Sequence, residues 1–109
     1  MMELQNKTCI ACRGDLPSLP VAQARALLQQ VPGWALDANG KWLLRSYTFT
    51  NFKQALAFVQ KVGEVAEQEG HHPDIAFGWG YVNLRLQTHA INGLHENDFI
   101  LAAKINALN

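Results

Sequence analysis

A change of hydrophobic period around residue 70 constrains this chain more than any other feature. From Phe52 the apolar set Phe52, Ala55, Leu56, Val59, Val62 and Ala66 recurs at spacings of three and four, while Lys53, Gln60, Lys61, Glu64 and Glu67 fall elsewhere. That is the stripe of an amphipathic helix. Asn51 stands where a cap is needed, and Gly70 where a left-handed residue ends the helix. Further on, Val82, Leu84 and Leu86 alternate with Asn83, Arg85 and Gln87, which predicts a half-buried antiparallel strand from Tyr81 to His89.

The remaining elements follow from turn chemistry. Ser18 before Pro20 suits a helix start, and Val21, Ala24, Leu27, Leu28 and Val31 continue it until Pro32-Gly33. Trp34 to Asp37 and Lys41 to Thr50 read as strands joined through Ala38-Asn39-Gly40, and Asp74 to Trp79 as a third. A last helix is expected from about Glu96 to Leu108, with Phe99, Ile100, Ala103 and Ala107 facing inward. The order α-β-β-α-β-β-α predicts an α+β fold, a four-stranded antiparallel sheet with helices packed on one face. Residues 18–109 form one domain, and residues 1–17, which lack a clear period, form an N-terminal arm. Trp34 and Trp42 are expected in the core. So small a sheet leaves edges and a broad face to manage, so self-association as a dimer or tetramer is expected.

Charge narrows the function. Nine Lys and Arg balance nine Asp and Glu in 109 residues, with no basic cluster. Nucleic-acid and anionic-membrane binding both depend on concentrated positive charge, so neither is expected. No run approaches the roughly 20 apolar residues of a membrane span, and the first dozen residues lack a secretory apolar stretch. A cytoplasmic location is expected, with Cys9 and Cys12 as reduced thiols. Their CxxC spacing is half a zinc ribbon without its second pair; a metal would have to borrow histidines from the domain.

The histidines are placed unusually. His71 and His72 sit side by side at a helix end, before Pro73. The carbonyl end of a helix favours an imidazolium, and Glu67, four residues before His71, is expected to reach the same end and strengthen that effect. A protonated histidine near neutral pH is a competent general acid. His89 is expected to close the last strand on its Arg85/Gln87 side. Taken singly, His71 and His72 read as solvated helix-end residues and His89 as an exposed strand end. Trp79 reads singly as a core residue or as a stacking platform for a flat heterocycle. His95 reads as a helix-entry residue, with Asp98 behind it in the first turn.

Together these residues say more. Glu67, His71-His72-Pro73, Trp79, His89 and Asp98, at their spacings, resemble the signature of the pterin-4a-carbinolamine dehydratase family, and His89 to Leu94 with Asn97-Asp98-Phe99 are similar to its stretch before the last helix. Ile75 stands where some relatives carry an aromatic ring, and His95 where a Ser cap is familiar. The Cys9/Cys12 arm resembles an extension of some bacterial members. The resemblance implies dehydration of a 4a-hydroxytetrahydropterin to the quinonoid dihydropterin, as in tetrahydrobiopterin recycling, with an aromatic amino-acid hydroxylase supplying the substrate. It implies acid/base roles for His71 and His89 and a substrate-holding role for His72. Glu67, Pro73, Trp79, Thr88 and Asp98 would bind or orient, without metal or organic cofactor. Two other readings stand beside it. One is a non-enzymatic dimerisation module, since animal relatives partner a homeodomain transcription factor; the other is a small Cys/His metal-binding protein.

Overall fold

The computed structural model describes residues 3–10 and 17–108. Helix α1 (Val21–Leu28) leads into strands β1 (Ala35–Leu36) and β2 (Leu43–Thr48). Helix α2 (Phe52–Glu69) follows, then β3 (Asp74–Gly78), β4 (Tyr81–Leu86) and helix α3 (Glu96–Asn106). The four strands form one antiparallel sheet in the order β1-β2-β4-β3, so the expected α+β architecture is present. The pairing places Leu43, Arg45 and Tyr47 opposite Leu86, Leu84 and Val82 on the face toward the helices. Those three β4 residues are buried while Tyr81, Asn83 and Arg85 are exposed, so alternation along β4 fixes which face is covered.

Helix α2 starts and stops on the residues that signal it. The Asn51 side chain accepts from the Gln54 N–H at 2.9 Å. Gly70 takes the left-handed conformation at φ 62°, which costs a residue without Cβ little. Its buried stripe is Ala55, Phe58, Val62 and Ala66. Phe52 and Leu56, expected inward, are exposed, and Phe58 takes their place. Leu56 lies about 100° round from Ala55, off the axis of the stripe.

Four other expectations are corrected. Pro20, not Ser18, precedes the first turn of α1, with no side-chain cap, and Val21 faces out. Ser18 instead lies so close to Gly93 that a Cβ there would meet its side chain at 2.7 Å. Trp34 is in the core, its indole N–H donating to Asn106 Oδ1 at 2.9 Å, but Trp42 is only half-buried. Trp79 is no core residue; it stands 72% exposed in the turn between β3 and β4. In α3, Leu101, Ala102 and Ile105 are buried beside Phe99, Ile100 and Ala103, while Ala107 is exposed beyond the helix end. The reason lies outside the helix. Segment 3–10 packs on α3 with a short 3₁₀ turn (Leu4–Asn6), and Leu4 joins the core, so α3 is covered on more than its sheet side.

No helix among the described residues is long and apolar enough to cross a membrane.

Candidate active site

The site grows from the two ends that meet beneath the sheet: the C-terminus of α2 and the N-terminus of α3. At the first, the left-handed Gly70 reverses the chain, and the His71 N–H returns to the Ala66 carbonyl at 3.2 Å. This closure turns the His71 ring inward, leaving the residue 5% exposed. At the second, His95 caps α3 as expected, its ring Nδ1 accepting from the Asn97 N–H at 3.2 Å. Asp98 completes the capping box by accepting the His95 N–H at 3.0 Å.

Asp98 does more than cap. It is fully buried, and its Oδ1 lies 2.6 Å from His71 Nε2. Its Oδ2 accepts the Thr88 hydroxyl at 2.8 Å. One carboxylate therefore joins the end of α2, the segment after β4 and the first turn of α3. A carboxylate in the interior is stable only with such a full set of donors.

His72 points the other way. Its Nε2 is 2.5 Å from Glu67 Oε2, and both side chains are mostly in solvent. Glu67 thus reaches the helix end as expected, but its partner there is His72 and not His71. Helical i,i+4 spacing ends at Gly70, so His71 no longer stands one turn above Glu67.

Strand β4 ends at Leu86, three residues before His89, which begins a 3₁₀ turn (His89–Ile91) instead of closing the strand. Thr88 anchors that turn by pairing with Gly93, its N–H donating to the Gly93 carbonyl at 2.9 Å. Asn92 supplies the positive φ of 49° the turn requires. His89 itself is exposed, but it is not loose. Its ring meets Trp42 edge-on at 5.8 Å, and the Arg85 guanidinium covers the same indole at 4.1 Å.

The structure therefore gathers His71, Thr88 and Asp98 by direct contact, and brings in His72 and His89 as their chain neighbours. Pro73 follows, half-buried, at the entry to β3. Trp79 is not part of this group. It lies five residues along from Asp74, roughly 16 Å of extended chain, at the other end of β3. Trp42 and Asn97 were missed by sequence reasoning. The Trp42 contact with His89 joins the residue before β2 to the turn after β4, and Asn97, only 2% exposed, breaks no pattern that a single sequence displays.

Of the CxxC pair, Cys12 lies outside the described residues. Burial, reinforced by the Glu69 carboxylate, pushes the Cys9 thiol up to about 12, so it acts as a hydrogen-bond donor. Among the described residues no three His, Cys, Asp or Glu side chains converge as metal ligands would.

Comparison with known proteins shows the family. The family model of pterin 4 alpha carbinolamine dehydratase matches residues 17–108. A protein of Aromatoleum aromaticum bearing the family's name is 55% identical over 97% of this chain and 95% of its own length. One from Halorhodospira halophila is 53% identical over 98% of each. A crystal structure of a transcriptional coactivator/pterin dehydratase from Brucella melitensis superposes with TM-score 0.78 at 30% identity, covering 84% of this chain and 97% of that one. A pterin dehydratase-like protein identified as a RuBisCO assembly factor in the alpha-carboxysome superposes with TM-score 0.60 at 30% identity, covering 70% and 88%. With a match across nearly the whole folded region, the chain belongs to the pterin 4 alpha carbinolamine dehydratase family.

Proposed function

We propose that this protein dehydrates a 4a-hydroxytetrahydropterin to the quinonoid dihydropterin, with His71 and His89 as the acid/base pair and His72 holding the pterin. The observation that carries the reading is the shared Asp98 carboxylate, which holds the His71 ring and, through Thr88, the residue next to His89. The reaction breaks the C4a–O bond. Electron density from the adjacent ring nitrogen pushes out the oxygen, which is a poor leaving group until protonated. One imidazole gives a proton to that oxygen, water leaves, and a second imidazole takes the N–H proton as the quinonoid system forms. Protons and electrons balance without redox change.

The geometry suits these parts. The Asp98 carboxyl pairs with His71 Nε2 and fixes the orientation of the ring, as a carboxylate partner does for a working histidine. His72, solvent-facing on the next residue, is free to turn toward a ligand by leaving Glu67, because an exposed ion pair holds it only weakly. Trp79 would reach this group only from a second copy of the chain, given its distance along β3. An oligomer, a cytoplasmic setting and coupling to an aromatic amino-acid hydroxylase belong to the same reading.

A binding-only role, favoured by the likeness to the assembly factor, is the competing reading; it leaves the three histidines without a task. The test is direct. Generate the carbinolamine with a hydroxylase and follow quinonoid formation by absorbance. The wild-type chain is expected to exceed the spontaneous rate, and His71→Ala and His89→Ala to lose most of the gain. A wild type no faster than the spontaneous reaction refutes the enzymatic reading.

A further inference from the structure

Residues 3–10, which precede the domain, are bonded to both helix ends that build the site. The Cys9 N–H donates to Glu69 Oε1 at 2.9 Å, two residues before His71. The Ile10 N–H donates to Asn97 Oδ1 at 3.0 Å, and Asn97 Nδ2 donates back to the Ile10 carbonyl at 2.7 Å, one residue before Asp98. The side chain of Asn97 thus pairs with the arm's backbone as a neighbouring strand would, from a position 2% exposed. Cys9 Sγ adds a donation to the Asn97 carbonyl at 3.6 Å. Lys7 reaches Glu96 at 3.1 Å, and Lys104 of α3 reaches Glu69 of α2 at 3.4 Å. Leu4 seals the far end in the core.

We propose that residues 3–10 are a positioning strap for His71, with Asn97 and Glu69 as positioning residues that fix the start of α3 against the end of α2 and so set His71 against Asp98. The inference rests on the dehydratase reading for its kinetic consequence, but not for its geometry. Acid/base groups work only when held within a fraction of an ångström of the productive position. Asp98 is set by the first turn of α3 and His71 by the last turn of α2, and the two turns belong to different helices. The strap is bonded to both turns. The Glu69 carboxyl is held below the usual range, first by the Cys9 N–H and further by Lys104, with burial opposing. Its charge therefore persists where the enzyme would work, and so does the anchor.

The test uses the full chain with ¹⁵N-labelled histidine and two variants. Ile10→Pro deletes the N–H that Asn97 accepts and stiffens the backbone beside it, at a residue 59% exposed. Asn97→Leu deletes both partners of the arm at similar volume. The His71 ring resonances are expected to shift or broaden in both while those of His89 stay, with kcat for enzymatically generated 4a-hydroxytetrahydropterin down about tenfold at little-changed KM. His71 resonances that superimpose on the wild type's overturn the proposal, even if the melting temperature falls, because a merely stabilising arm would lower that alone. Should Asn97→Leu fail to fold, Ile10→Pro decides by itself. A wild type without dehydratase activity would sink the functional reading, and the His71 resonances would still decide the strap.

Discussion

His71 and His72 are consecutive, carry the same side chain and each face a carboxylate, yet they live in different worlds. The His71 ring is 6% exposed, against a fully buried Asp98 that two further donors hold in place. The His72 ring is 59% exposed against a Glu67 that is 78% exposed. A hydrogen bond in the interior is electrostatically stronger than one in water, whereas an exposed pair is screened and loses side-chain entropy. The difference teaches that a carboxylate–histidine contact is not by itself a catalytic device. Burial and the number of fixed partners make one pair a rigid part and leave the other a movable handle.

The contrast is broken most severely at Asp98. Asp98→Ala takes the acceptor from the Thr88 hydroxyl, the His95 N–H and the His71 ring together; breaking a buried pair of this kind costs about 3–5 kcal/mol, measurable by urea unfolding, and dehydration should fall to near the spontaneous rate. Thr88→Val removes one donor from the same carboxylate at constant shape. It should cost about 1–3 kcal/mol and lower kcat with little effect on KM. Glu67→Gln acts on the exposed pair, and its stability change should stay within about 0.5 kcal/mol; a loss as large as that of Thr88→Val would erase the distinction between the two pairs.

The smallest effect concerns the arm, and its sign follows from two shifted groups. The carboxyl of Glu69 is lowered from 4.5, so its contribution to docking is present above pH 4.5 and is lost as pH falls through its lower folded value. The Cys9 thiol is raised from 9.0 to about 12, so docking is unpenalised below pH 9 and weakens as pH rises from there toward 12. In a Cys12→Ser chain at pH 8, Cys9 should therefore be alkylated more than about tenfold slower than in a free peptide of the same sequence. Equal rates would mean that the arm is not docked.

Much of this was readable beforehand, and the rest was not for identifiable reasons. Local signals told true where the backbone itself carries them: Asn51 and Gly70 bounded α2, and the alternation of Val82, Leu84 and Leu86 oriented β4. The partner of Glu67 was not legible because helical spacing ends at a left-handed glycine. The all-round burial of α3 was invisible because its cover is a segment some 90 residues away in sequence, with no period of its own. Asp98 could be read as a capping residue, but its bonds to His71 and Thr88 join elements 27 and 10 residues apart. Trp42 looked like core and proved to be a support for His89, a role set by contact between the residue before β2 and the turn after β4.

The claim that the buried histidine performs chemistry while the exposed one holds substrate is tested most directly by measuring kcat and KM for His71→Ala and His72→Ala side by side, on enzymatically generated 4a-hydroxytetrahydropterin. His71→Ala should lose about 10²- to 10⁴-fold in kcat, and His72→Ala should chiefly raise KM while keeping most of kcat. A His72→Ala variant that loses kcat while His71→Ala retains it would contradict the account.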